Sequence, residues 1–121
     1  MAIYESGEMY LETILVLYKK MEKVRAIDIC KELEYSKPSV SVALSNLKKE
    51  GYVSVDSFGT IMLTEEGQRI AEKIYERHTV LCKTLMQLGV PEKTASEDAC
   101  KIEHDISDET FEAIKKYISQ K

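Results

Sequence analysis

Glu34-Tyr-Ser-Lys-Pro-Ser-Val-Ser-Val-Ala-Leu-Ser-Asn-Leu-Lys-Lys-Glu-Gly51 is the stretch whose reading decides the fold. Its first five residues read as a turn, with Ser36 placed to cap and Pro38 tolerated in the first turn of a helix that runs to Lys49. Val40, Ala43, Leu44 and Leu47 recur at helical spacing and give that helix one inward face. Outside lie Ser36, Lys37, Ser39, Ser41, Val42, Ser45, Lys48 and Lys49, which are small, polar or basic and include no acid. A solvated serine-rich surface is the plain account of such a face. Its neighbours in the chain point elsewhere.

Upstream, a helix is expected from Ser6 to Lys20, with Ser6 as cap, Glu8 in the first turn and Leu11, Ile14, Leu15 and Tyr18 as the apolar stripe. Met9 and Glu12 share a neighbouring face. Met21 to Val24 carries no stripe, and a second helix runs from about Ala26 to Leu33 with Ile29, Cys30 and Leu33 inward. Downstream of Gly51 the period changes to alternation. Tyr52–Val55 and Thr60–Leu63 read as two short strands joined by Asp56-Ser-Phe-Gly59. Helix, helix, turn, helix and hairpin is the order of a winged helix-turn-helix, in which the third helix enters the major groove. Double-stranded DNA is therefore the expected partner, met by Ser36, Lys37, Pro38, Ser39, Val42 and Lys48.

Thr64 followed by Glu65 and Glu66 starts a long helix to Leu88, with Ile70, Ile74, Leu81, Leu85 and Leu88 at three- and four-residue spacing and His78 on the same side. Gly89 stops it, Pro91 begins another helix that carries Cys100 to His104, and Ser107 caps a last one with Phe111, Ile114 and Ile118 on one side. The fold class is mainly α: a winged helix-turn-helix over 1–63, then a helical domain over 64–121. So much apolar helix surface in a short chain predicts a homodimer, and dimer symmetry predicts a near-palindromic DNA site.

Asp98-Ala-Cys-Lys-Ile-Glu-His104 concentrates metal-binding chemistry. On a helix Cys100, Glu103 and His104 fall at i, i+3 and i+4, so a thiolate, a carboxylate and an imidazole point the same way. That donor set suits a divalent first-row transition ion better than calcium or magnesium. The competing account packs Cys100 as a small hydrophobe and leaves Glu103 and His104 in solvent. An enzyme with Cys100 as nucleophile and His104 as base lacks a visible orienting group or oxyanion site, and no catalytic zinc pattern is present.

Composition narrows the classes. Three cysteines at 30, 82 and 100 are odd in number and widely spaced, which makes no disulfide framework and fits a reducing compartment. No apolar run approaches the length of a membrane span and no secretory signal is visible, so a cytoplasmic protein without a membrane partner is expected. A formal net charge of −4 argues against coating nucleic acid by bulk electrostatics. Affinity is expected to depend on a dimer engaging two half-sites.

Taken together, the sequence resembles the iron- and manganese-dependent repressors related to the diphtheria toxin repressor. The resemblance is carried by Glu8-Met-Tyr-Leu-Glu-Thr-Ile14, Ser36-Lys-Pro-Ser-Val-Ser41, Leu63-Thr-Glu-Glu-Gly67, Arg77-His78 and Glu97-Asp-Ala-Cys-Lys-Ile-Glu-His-Asp-Ile-Ser-Asp108. It implies that Met9, Cys100, Glu103 and His104 form an activating metal site of iron type, and that His78 belongs to a neighbouring site with Glu12 or Cys82. Manganese-type members have an acid at the position of Met9 and a glutamate at that of Cys100, yet share Glu12, so the set is mixed. Cys82 and Ser96 replace a usual glutamate and histidine at ancillary positions. Val42 replaces a polar base-contacting residue, which points to a thymine methyl or an altered operator preference. The two sulfurs favour Fe(II) as co-repressor, with Co(II) and Ni(II) as substitutes, Mn(II) as a weaker activator, and Zn(II) bound without effective activation.

Overall fold

The computed structural model describes residues 5–120. The backbone forms two compact units, the first running to Glu72 and the second beginning at Lys73.

In the first unit α1 (Glu5–Tyr18), α2 (Ala26–Leu33) and α3 (Lys37–Lys49) pack on one another and on a hairpin of β1 (Val53–Val55) and β2 (Ile61–Leu63). Leu11 and Ile14 of α1, Ile29 of α2 and Val40 of α3 have no exposed surface and form the centre of the core. Because α1 is already helical at Glu5, Ser6 lies inside its first turn and does not cap it. The turn before α3 is as expected: Glu34 adopts the left-handed conformation at φ 57°, and the Ser36 hydroxyl accepts from the Ser39 backbone N–H at 3.3 Å.

The strands pair antiparallel, with Val53 opposite Leu63 and Val55 opposite Ile61. The segment without a helical stripe supplies a further bridge, between Val24 and Ile61, where the Ile61 N–H donates to the Val24 carbonyl at 2.8 Å. The Tyr18 hydroxyl donates to the Ile61 carbonyl, so the turn end of the hairpin is anchored to α1. At its tip the Asp56 carboxylate accepts from the Phe58 and Thr60 N–H groups, both at 2.9 Å, and Gly59 supplies the positive φ of 81° that closes the turn.

α4 (Glu65–Gln87) leaves the hairpin through Thr64, whose hydroxyl donates to the Gly51 carbonyl at 2.6 Å and accepts from the Gly67 N–H at 3.1 Å. A Cβ added at Gly67 would stand 2.0 Å from the Tyr52 carbonyl oxygen, so only glycine lets this helix pass the hairpin backbone so closely. The second unit consists of α4 from Lys73 onward, α5 (Glu92–Ile102) and α6 (Asp108–Ser119). The Ser107 side chain caps α6 by accepting from the Thr110 N–H at 3.1 Å. Among the described residues no helix is long and apolar enough to cross a membrane.

Gly67→Ala is expected to lower stability by roughly 1–3 kcal/mol through overpacking, although helix propensity alone would raise it by about 1 kcal/mol. Urea denaturation reads the sign directly.

Candidate functional site

The exposed side of α3 is the one the sequence assigns to DNA. Val40, Leu44 and Leu47 are buried and Ala43 is half-buried, whereas Ser36, Lys37, Pro38, Ser39, Val42, Lys48 and Lys49 are all exposed. Val42 is 62% exposed, an apolar side chain standing in water on an otherwise hydrophilic surface.

Also in the first unit, Met9 is half-buried on α1 and its Sδ lies 3.9 Å from the Tyr35 hydroxyl, while Glu12 is buried one turn further on.

In the second unit the chemistry gathers around Glu103. α5 ends at Ile102, so the expectation that this helix carries through His104 is corrected. Glu103 is its C-cap and keeps right-handed torsions, and its N–H still donates to the Ala99 carbonyl at 2.9 Å. His104 lies in the turn that follows.

The Glu103 carboxylate has no exposed surface, and neither of its oxygens has a hydrogen bond among the described residues. Its Oε2 lies 3.3 Å from His78 Nδ1 and its Oε1 lies 3.5 Å from His104 Nε2. His78, Cys100 and Glu103 each offer one ligand atom within 4.8 Å of the others. His78, which the resemblance places at a neighbouring site, thus shares Glu103 with Cys100. His104 approaches the other oxygen of the same carboxylate. Cys100 itself is exposed. Cys82, one turn beyond His78 on α4, is not in this group; it lines an open cavity of about 560 Å³ with His78 and Ser96, whose hydroxyl is 3.4 Å from His78 Nε2.

A buried carboxylate without hydrogen bonds is costly and rare in folded proteins. A cation bound beside it offsets that cost, and a thiol, an imidazole and a carboxylate at this spacing are donors a transition ion accepts. The residues present fit a divalent metal.

Arg77 holds the ligand-bearing turn in place. It is buried next to His78 on α4, and its Nη1 donates to the carbonyl of Glu103 at 3.1 Å and to that of Ile106 at 2.7 Å. Its Nη2 donates to Asp108, and its guanidinium lies 5.5 Å from the centre of the Phe111 ring. Lys73, at 3.2 Å, and then Arg77 hold the Asp108 carboxyl below its ordinary range. Whatever Asp108 contributes to stability is therefore present above that range and is lost as pH falls through the lowered value.

Two family profiles cover the sequence. The profile for the iron dependent repressor N-terminal DNA binding domain matches residues 2–58, and that for the iron dependent repressor metal binding and dimerisation domain matches residues 64–120. The chain belongs to this family of metal-dependent transcriptional repressors. An HTH-type transcriptional regulator of Methanocaldococcus jannaschii, itself uncharacterised, is 36% identical over 118 residues, which is 96% of this chain and 94% of the relative. The transcriptional regulator MntR of Escherichia coli O157:H7 is 32% identical over 106 residues, 88% of this chain and 68% of MntR. The solved structure of the manganese regulator SloR superposes with a TM-score of 0.84 at 30% identity, covering 93% of this chain but only 53% of SloR. The winged-helix order and the mainly α fold read from the sequence agree with this repressor family.

Arg77→Met leaves the buried Glu103 carbonyl and the part-buried Ile106 carbonyl without their shared donor, while Asp108 keeps Lys73, and is expected to cost about 3 kcal/mol. Arg77→Lys should recover only part of it, because one ammonium cannot reproduce the guanidinium fork. Chemical denaturation of the three proteins checks the ranking.

Proposed function

We propose that this chain is a homodimeric repressor whose hold on operator DNA is set by Fe(II), with residues 1–63 binding DNA and residues 64–121 binding metal and dimerising. The observation that carries this reading is the Glu103 carboxylate, buried without hydrogen bonds between two imidazoles and within ligand reach of a thiol. Cys100, Glu103, His104 and His78 would hold metal, and Cys82 is a candidate further ligand. Met9 and Glu12 enter the ligand set on the sequence resemblance. When bound, a divalent ion supplies the positive charge that Glu103 lacks and a fixed geometry among its ligands. On this reading DNA affinity and metal affinity are linked quantities, each altering the other by the same factor. A swing from mostly off to mostly on requires about 5.5 kcal/mol of differential affinity.

Exposed apolar side chains of the second unit support the dimer: Met86, Leu88 and Tyr117 stand in solvent, Leu88 at 76% exposure. Symmetry then calls for two half-sites, each read by Ser36, Lys37, Pro38, Ser39, Val42 and Lys48. The proposal places the protein in the cytoplasm and gives Cys100 and His104 no turnover, consistent with relatives that are transcriptional regulators.

Iron(II) is preferred because Met9 and Cys100 are sulfur donors, which favour it over Mn(II) in the usual affinity order. A manganese-responsive reading has its own support in the buried Glu12 carboxylate and in the likeness to a manganese regulator.

The deciding experiment titrates Fe(II), Mn(II), Co(II), Ni(II) and Zn(II) anaerobically against the dimer and a duplex that wild-type protein has selected from a random pool. Fe(II) is expected to raise affinity at least tenfold more than Mn(II), and Glu103→Gln to abolish the response to both. The pair Met9→Asp with Cys100→Glu should make Mn(II) the better activator. Equal responses to manganese in the wild type and in that pair would establish the manganese reading, and binding indifferent to chelator would remove metal control altogether.

Ser39→Glu places a carboxylate at the start of α3 and is expected to abolish duplex binding while leaving metal affinity and the thermal midpoint unchanged. Retained duplex affinity would show that another surface meets the DNA.

A further inference from the structure

Tyr35 occupies the turn between α2 and α3, immediately before the Ser36 cap of the recognition helix. Its backbone is fixed: Glu34 before it is left-handed, and the Tyr35 N–H donates to the Cys30 carbonyl at 3.2 Å. Its side chain reaches back to α1. The ring meets that of buried Tyr10 edge-on, with centroids 6.2 Å apart and planes at 62°, and the hydroxyl lies 3.9 Å from Met9 Sδ. The ring is thereby held while the hydroxyl makes one weak contact, to a polarizable sulfur. The same side chain is 43% exposed and directly precedes the exposed Ser36 and Lys37 in the chain.

We propose that Tyr35 is a positioning residue linking Met9 to the recognition helix, its hydroxyl resting on the Met9 sulfur in metal-free protein and donating to a DNA phosphate at the start of α3 when that sulfur is engaged by metal. This rests on the reading of Met9 as a ligand and α3 as the DNA-facing helix. No covalent step is involved. The hydroxyl exchanges one acceptor for another, and the thioether has lone pairs either for a donor or for a soft cation. In metal-free protein, contact with a phosphate requires giving up the sulfur; in loaded protein that contact has already been given up. The difference adds to the coupling between metal and DNA.

The test is Tyr35→Phe in the full chain, which keeps the ring contact with Tyr10 and removes only the hydroxyl. The coupling carried by one weak hydrogen bond should be about threefold. DNA affinity of the Fe(II)-loaded variant for the selected duplex should fall by that factor, while metal-free affinity, the thermal midpoint and the salt slope stay as in wild type. Without DNA, competition with a chelator should show Fe(II) bound slightly more tightly by the variant, because nothing contends for the sulfur. On a Met9→Leu background the same substitution should leave Fe(II) affinity unchanged, which closes a double-mutant cycle on the contact. A variant that loses loaded and metal-free DNA affinity equally would reveal a purely structural tyrosine and overturn the proposal. So would an unchanged ratio of the two affinities in a protein whose wild type responds to Fe(II). If the wild type itself shows no metal response, the functional reading fails and this inference falls with it.

Discussion

The second unit is organised around a buried carboxylate that makes no hydrogen bond among the described residues. Glu103 has no exposed surface, and the buried Arg77 donates to the Glu103 and Ile106 carbonyls and to Asp108 rather than to the Glu103 carboxylate. Consecutive residues on α4 divide the work. Arg77 fixes the backbone of the turn from one side of the helix, and His78, about 100° further round, meets the carboxylate at 3.3 Å. A guanidinium on the carboxylate itself would have made a satisfied buried ion pair and left no reason for a further cation. Two imidazole nitrogens and a thiol leave room for one.

The elements legible in the sequence are those whose signals are local. α3 declares itself through a cap, a proline and an apolar face within about four turns, and the Ser36 and Ser107 caps stand where the spacing places them. The hairpin is similarly self-contained, with the tip organised by Asp56 and Gly59. What sequence periodicity missed is non-local. A single bridge between Val24 and Ile61 has no period, and nothing near Val24 announces a partner 37 positions away. Arg77 entered as part of a matching stretch, but its structural role is invisible in one dimension because its acceptors include two backbone carbonyls, which every residue possesses.

The helical-face argument for Cys100, Glu103 and His104 succeeds in part, for a geometric reason. Cys100 and Glu103 are related by i, i+3 across the last turn of α5, where the Glu103 torsions and N–H bond are still helical, and both belong to the group with His78. His104 lies beyond that turn and comes to the other carboxylate oxygen. Spacing therefore identified residues around one carboxylate but could not show that His78, 25 positions earlier, stands at its Oε2.

On the proposed reading, weak electrostatics is what makes regulation effective. The exposed side of α3 carries Lys37, Lys48 and Lys49 in a chain of net charge −4, so few counterions are released per half-site and non-specific attraction is small. A strongly basic protein would hold DNA with its recognition helices in many relative positions, and fixing one of them would change little. Here useful affinity requires two modest surfaces to engage successive half-sites together, and each is worth most when the other is already correctly placed. The lack of acids on α3 permits approach, the shortage of cations makes approach insufficient, and on that reading a divalent ion tips the balance only as far as it binds the DNA-competent state more tightly than the relaxed one.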